Sequence, residues 1–387
     1  MSLENSYKGQ ELHVIAFDIP VPVNYGGAID IYYKIKWLRK AGVKIHLHCY
    51  EYDRKPSKQL NKYCENVYYY PREINKTHLL KFKPYIVASR NSTALLKKIS
   101  EGHAPILFEG LHSCFHLDSK KLKERHKVVR THNVEHHYYA NLAKAEKDIF
   151  KKYYYLHESN KLKKYEKVLE HAQGIAAISK NDFLHFSKKY PNVKIVSAFH
   201  PHEQVSIKTG KGKYALYHGS LDVAENNEAA LFLIRQIFND IDIPLIIAGS
   251  KVSRELKKAA SERPNVTIKS QIKTEEIYRL IEDAHVNILP TFQATGIKLK
   301  LLAALFTGRY CLVNTPMVIN TGLEKLCIVN DEPRAIKASL IELFKKPFTE
   351  DEIKKRRQLL NKNGFNNDKS CLQLLSLLFN PSPDLQA

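Results

Sequence analysis

Two ammonium groups set two residues apart, Lys298 and Lys300, follow a polar loop closing on Gly296 in the stretch ILPTFQATGIKLKLLAALFTGRYCLVNT, residues 288–315. Cations at a loop that opens into a helix suit an anion, and a phosphate above all. Unpaired backbone N–H groups and the positive end of the helix dipole converge there. An ordinary strand–helix–strand unit with two solvated lysines remains the plainer alternative. The glycine pair Gly26–Gly27 in PVPVNYGG carries a similar double meaning: it lets a backbone approach a ligand closely, or it only turns the chain into a helix. GKGK at 210–213 is not a nucleotide-binding P-loop, which needs two glycines flanking four residues and then Lys-Ser or Lys-Thr.

The elements around these residues alternate. HVIAFDI (13–19) predicts a strand, and residues 28–41 repeat apolar positions at helical spacing through Ile31, Ile35 and Leu38. Gly42 then stops the helix before the strand VKIHLHCY (43–50). Strands are also predicted at 85–89 (YIVAS), 105–111, 127–134, 174–179 and 194–199. A long helix is expected over about 140–171, with Ile149, Tyr153, Leu156, Leu162, Tyr165 and Leu169 facing a core and a lysine-rich outer face. The tyrosine triplets at 68–70 and 153–155 read as packing residues. From Tyr214 a second alternation begins, with strands at 214–220, 244–250, 266–271, 286–291, 310–315 and 326–330. Helices fall between them, and a last helical pair covers 350–362 and 368–379. The fold class is therefore α/β, with two Rossmann-like parallel-sheet domains facing each other across a cleft that is the default active site. The boundaries read as 1–204, a polar linker at 205–213, 214–365, and a C-terminal helix at 366–387 packing back towards the N-terminal domain.

A chain of 387 residues with 44% hydrophobic content holds real cores. Its formal charge of +21 is lopsided: residues 1–200 hold 35 Lys and Arg against 19 Asp and Glu. Such a half calls for an anionic partner: a phosphorylated substrate, an acidic membrane surface or nucleic acid. Much of the charge is also accounted for by solvated helix faces. Six scattered cysteines form neither a zinc pattern nor a disulfide framework, which points to a reducing compartment. No signal peptide or membrane span is visible, and a cytoplasmic location is expected.

Several linked segments, in this order and spacing, resemble a GT-B glycosyltransferase of the large family 4 type (glycosyl transferases group 1). They are NYGGAIDIYYKIKWLRKAGVKIHLH, THNVEHHYY (131–139), AAISKND (176–182), HGSLDVAENNEAALFLI (218–234) and GIKLKLLAALFTGRYCLV. The likeness spans nearly the whole chain. It implies a retaining transfer of a hexose from a nucleotide-diphosphate sugar to a saccharide or lipid-linked acceptor, with no metal and no cofactor beyond the co-substrate. It implies a glycine loop near the donor at Gly26 and Gly27, and places His132 at the reaction centre, continued by Asn133 and Glu135. Glu135 reads equally as a charge at a helix N-terminus. Gly219 and Ser220 match a loop under the diphosphate, Gly249 a glycine close to the nucleotide, and Lys298 a cation on donor phosphate. Lys300 is a further candidate for that task.

The chain departs from the family at two places. The family's two glutamates on this loop and helix fall here on Thr295 and Ala303. Thr295 keeps hydrogen-bonding capacity and stays a catalytic candidate, whereas Ala303 cannot grip a ribose. The basic pair often found after the first strand of the second domain is replaced by Asn226 and Asn227. A non-catalytic binding protein on the same fold is thus the alternative. Peripheral contact with the inner face of an anionic membrane is compatible with the basic half, and a nucleic-acid partner is not expected.

Overall fold

The structure is a computed structural model that describes residues 3–146, 148–292, 299–319, 321–362 and 364–379. It divides into two compact units: residues up to 201 with those from 366 on, and residues 202–365.

The first unit is built on a seven-stranded parallel sheet. Its strands are β1 (Glu11–Ala16), β2 (Lys44–Glu51), β3 (Asn66–Pro71), β4 (Ile106–Glu109), β5 (Lys127–Thr131), β6 (Gly174–Ala177) and β7 (Val193–Ile195), in the order β3-β2-β1-β4-β5-β6-β7. In β1 five of six residues are buried and in β4 and β5 all are, the pattern of strands covered on both faces. Register places Val14 between Leu47 and Leu107. Helix α1 (Gly26–Lys40) buries Ile31, Ile35 and Leu38, as its spacing predicts. Strand order reverses between β1 and β4, so their carboxyl ends flank a crevice where open α/β sheets bind ligands.

Two local expectations are corrected, and one strand was not foreseen. YIVAS is the short helix α2 (Tyr85–Ala88), because Pro84 starts it and the Tyr85 N–H is taken by Glu158 Oε2 at 2.6 Å rather than by a sheet neighbour. The first tyrosine triplet lies in β3, an edge strand that short-range patterning missed. After α3 (Thr93–Ser100), the long helix over 140–171 is instead α4 (Glu135–Ala145), α5 (Ile149–Tyr165) and a 3-10 turn at Glu166–His171. Asp148 caps α5 by accepting from the Phe150 and Lys151 N–H groups. Of the six residues expected in the core, Leu162 and Leu169 are buried and Tyr165 is partly buried. Ile149 (74%), Tyr153 (72%) and Leu156 are exposed. Helix α6 (Lys180–Phe186) then leads to β7.

The second unit carries a six-stranded parallel sheet: β8 (Ala215–His218), β9 (Leu245–Gly249), β10 (Val266–Ser270), β11 (Val286–Ile288), β12 (Tyr310–Val313) and β13 (Ile328–Val329), in the order β10-β9-β8-β11-β12-β13. Its helices are α7 (Ala224–Phe232), α8 (Arg254–Ser261), α9 (Thr274–Asp283), α10 (Leu299–Thr307), α11 (Thr315–Val318), α12 (Pro333–Lys345) and α13 (Glu350–Lys362). Here the order reverses between β8 and β11. Residues 202–213 pack on this unit, where Ser206 donates to Phe306 O and Gly210 bridges Phe348. Helix α14 (Asn367–Phe379) returns to the first unit, held by His126 Nε2 at 2.7 Å from Leu377 O and by Lys194 Nζ at 3.1 Å from Ser376 Oγ. Two parallel α/β units stand as the repeating strand–helix pattern predicts.

Candidate active site

Each unit presents its own cluster at the carboxyl ends of its strands. In the first, α1 sends Asp30 and Lys34 inward from the same face that carries Ile31 and Ile35. Lys34 Nζ lies 2.9 Å from Asp30 Oδ2 and 2.7 Å from each oxygen of Glu109, the last residue of β4. Arg130 on β5 donates to Asp30 through Nη2 at 3.2 Å and Nε at 3.4 Å, and to the carbonyls of Val196 and Ser197. The Phe199 N–H completes the shell of Asp30 at 2.7 Å. All four ionic side chains are buried. Burial alone would raise the carboxyl pKa values. Arg130 and Lys34 overcome it for Asp30, and Lys34 with His132 overcomes it for Glu109, so both carboxyls are held below their ordinary range.

His132 closes this network. Its Nε2 is 2.9 Å from Glu109 Oε2, a contact that requires Nε2–H as the donor, and its Nδ1 is 4.0 Å from Asp30 Oδ2. Both nitrogens are turned towards buried carboxylates, which fix the orientation of the ring. Phe17 lies edge-on to it at 5.4 Å between centroids and also contacts His112. Asp30, Glu109 and His132 have the mutual spacing of a metal-ligand set. Lys34 and Arg130 already neutralise both carboxylates, however, so the donor set fits a closed charge network and not an added divalent ion.

Gly26 and Gly27 form the first turn of α1, whose cap Tyr25 makes no side-chain capping bond. A Cβ on Gly27 would stand 2.7 Å from the Phe17 ring, so this glycine brings Phe17 against the helix start and in turn to His132. The preceding loop is tied by Arg54, which stacks on Tyr25, pairs with Asp18 and donates to Ile19 and Pro22 carbonyls.

Glu135 opens α4 as its first-turn acidic residue and is buried there. Burial, with repulsion from Asp182, pushes its carboxyl up to about 8. Its Oε1 and His112 Nδ1 lie 3.8 Å apart, and neither has a hydrogen-bond partner among the described residues. His112 is held neutral by burial and by Arg90.

In the second unit β8 ends at His218, followed by Gly219 and Ser220. Gly219 donates to Ala248 O, and Ser220 O accepts from Asn226 Nδ2 at 3.0 Å. Gly249, at the end of β9, has no room for a side chain because a Cβ there would collide with Gly219 O and Leu221. Lys300, in the first turn of α10, lies with Nζ 3.0 Å from Asn226 Oδ1 and 5.0 Å from the centre of the Tyr217 ring. Beside it His218 is buried and pushed down to about 3, chiefly by desolvation and then by Lys300. Among the described residues its Nε2 has no hydrogen-bond partner. Asn226, which stands where the family carries a basic residue, therefore orients a cation supplied from α10. Asn227 instead accepts from Ser253, the cap of α8. Ala303 is 7% exposed and belongs to the core. Thr295, Gly296 and Lys298 lie outside the described residues.

The structure thus brings His132 together with residues that sequence reading passed over: Asp30, Lys34, Glu109 and Arg130. It likewise joins Lys300 to Gly219, Ser220 and the unsuspected His218. The available signal was Asp30 and Lys34 at i,i+4 spacing on the apolar stripe of α1, where two charges need buried partners.

No protein-family model matches the chain. It is 27% identical over 347 residues to an uncharacterised 44.6 kDa protein in the cps region of Klebsiella pneumoniae, covering 82% of this chain and 87% of that one. Solved structures with the same fold include the sucrose-phosphate synthase of Thermosynechococcus elongatus (TM-score 0.69, 13% identity, 95% of this chain and 98% of the other). WaaG, a glycosyltransferase involved in lipopolysaccharide biosynthesis, matches with a TM-score of 0.63 and 10% identity over 95% of this chain and 100% of its own. The UDP-forming α,α-trehalose-phosphate synthase of Burkholderia xenovorans matches with a TM-score of 0.64 and 8% identity over 95% and 99%. The likeness establishes the fold: the two parallel α/β units are those of the GT-B glycosyltransferases.

Proposed function

We propose that the chain is a retaining, metal-independent glycosyltransferase. It moves a hexose from a nucleotide-diphosphate sugar to a saccharide or lipid-linked acceptor in surface polysaccharide synthesis. The observation that carries this reading is the switch point of the second unit. There Lys300, His218, whose Nε2 has no hydrogen-bond partner among the described residues, and the close-packed Gly219 and Gly249 converge at the ends of parallel strands. A nucleoside diphosphate leaving group develops negative charge as the glycosidic bond breaks, and an ammonium held in place by Asn226 and Tyr217 stabilises it without a metal. Lys298 and Gly296 would extend the same phosphate cradle, and Thr295 would take the sugar-side hydrogen bond of the family's glutamate. In the first unit, the charge network holds His132 at its strand end, where the resemblance places the transferred sugar. WaaG's role in lipopolysaccharide biosynthesis supports the choice of acceptor class.

The acceptor side also suits a membrane-held substrate. Helix α5 begins with exposed Ile149 and Phe150 (85%), beside exposed Lys151 and Lys152. Lys161 of the same helix donates to Leu79 O in a 3-10 turn (Lys76–Leu80) that exposes Leu80, and Phe82 just beyond it is fully exposed. Apolar and basic groups so mixed fit the interface of an anionic bilayer. No helix among the described residues is long and apolar enough to cross a membrane, and the reading is of a cytoplasmic protein in peripheral contact with its inner face.

A thermal-shift panel with UDP, GDP, ADP, CDP and their sugar conjugates tests the proposal. A ligand at a hundredfold over its Kd stabilises by about 2.7 kcal/mol, which moves a melting point by degrees. A selective rise with one base is expected. No rise with any nucleotide at millimolar concentration favours the second reading, a non-catalytic GT-B binding protein, for which the ribose-blind Ala303 is the motive.

A further inference from the structure

Away from the charge network of His132, the first unit holds a second cluster. It joins the first turn of α4, the end of α5 and α6. His136 Nδ1 lies 3.2 Å from Glu166 Oε2, and His185 Nε2 lies 2.9 and 3.0 Å from the two Glu166 oxygens. A third imidazole, His137, has its centroid 4.3 Å from that of His136 and 5.3 Å from that of His185. Lys189 Nζ lies 2.8 Å from Glu166 Oε1.

We propose that His136, His185 and Glu166 form a binding site for a divalent transition metal, Zn2+ before others, for whose carboxylate ligand the Lys189 ammonium competes. Three observations support the assignment. First, the donor atoms of the three residues all lie within 4.8 Å of one another. Ligands bound tetrahedrally at Zn–N and Zn–O lengths of 2.0–2.2 Å stand about 3.3–3.5 Å apart, so a small relaxation of the 2.9–3.2 Å contacts admits the ion. Second, two imidazoles and one carboxylate are the donor set of zinc and its neighbours, not of calcium or magnesium, which take oxygen ligands. Third, the backbone behind the ligands is already tied down. Ser159 Oγ donates to His136 O at 2.7 Å, and Tyr190 OH donates to Glu166 O at 2.8 Å. Both contacts hold the backbone from which the ligands extend.

Lys189 is the displaceable member, since its side chain is 51% exposed and can withdraw into water. His137 is exposed on the same helix turn but is not one of the clustered donors, so the fourth position falls to water. The site shares no residue with the Asp30–Glu109–His132 network or with Lys300, so it does not depend on the proposed transfer reaction. Its effect would be structural. A metal here joins α4, which directly follows the turn bearing His132, to α6 and to the end of α5.

Untagged full-length protein titrated with Zn2+ against a chromophoric chelator tests the site, with Co2+ as a spectroscopic probe. One equivalent of Zn2+ is expected, with tetrahedral Co2+ bands in the visible that Zn2+ abolishes. His136→Ala and His185→Ala should each lose the bound equivalent while retaining the circular dichroism of the folded protein. Lys189→Ala, an exposed change that does not threaten folding, should bind roughly two- to fivefold more tightly because the competing cation is gone. Absence of stoichiometric binding overturns the proposal. So does an equivalent that survives the double histidine substitution, or a Lys189→Ala variant whose affinity is unchanged.

Discussion

Lys34 and Glu109, 75 residues apart in the chain, meet with the ammonium 2.7 Å from both carboxylate oxygens and neither side chain exposed. An ion pair of this kind is stable only because every charge in it is answered: Asp30 by Lys34, Arg130 and the Phe199 N–H, Glu109 by Lys34 and His132. Taking one member away leaves another charge buried and unpaired. Lys34→Met is therefore expected to destabilise the first unit by about 3–5 kcal/mol, measured as a lowered urea midpoint. A loss under 1 kcal/mol would mean that the network is not the closed set described.

Lys300 tests the donor site without touching the core. Lys300→Ala should weaken nucleotide-diphosphate binding ten- to a hundredfold, the equivalent of about 1.5–3 kcal/mol for a charged hydrogen-bond partner. The melting point of the free protein should stay within a few degrees. Calorimetric titration with the nucleotide selected by the thermal panel reads both the affinity and its change. Ala303→Glu is the weaker probe, since residue 303 is in the core and a carboxylate there costs stability whatever it does to a ribose.

Glu135 ties stability to pH in a defined direction. Its folded pKa, pushed up to about 8 by burial, lies above the ordinary carboxyl value, so the folded state keeps a proton that the unfolded chain has lost. Its contribution is complete at pH 4.5 and below, and is lost as pH rises through 8. Glu135→Gln removes the ionisable group. The variant should match the parent near pH 4.5 and melt several degrees higher at pH 8.5, at about 1.4 kcal/mol per unit of pKa displacement. Parallel melting curves at the two pH values settle the matter, and an equal offset at both would refute the assignment.

The exposed start of α5 predicts association with anionic bilayers. Sedimentation with vesicles containing phosphatidylglycerol should retain the parent protein at low salt. Phe150→Ala combined with Phe82→Ala should release it, since each exposed ring contributes apolar area that the lysines cannot replace. Equal retention of parent and variant would assign the interaction to charge alone.

The sequence by itself determined the architecture. Strands such as ILFE and KVVRT read as strands because a sheet covered on both faces leaves no polar alternation, and α1 was legible from Ile31, Ile35 and Leu38. Gly219 and Gly249 marked the carboxyl ends of β8 and β9. Periodicity alone could not distinguish a core stripe from an exposed one, which is why Ile149, Tyr153 and Leu156 read as buried. Nor could it recognise that YIVAS begins a helix, because Pro84 and Glu158 supply the start and the partner. What only the tertiary structure decided is the company of each polar residue. Asp30 and Lys34 show a spacing in the chain, but Glu109 and Arg130 arrive from strands that pair across the sheet. His218 meets Lys300 only because β8 lies beside β11, which feeds α10. Local pattern reports which face a residue takes. The charges that face it are fixed by strand order, and strand order is a property of the folded chain.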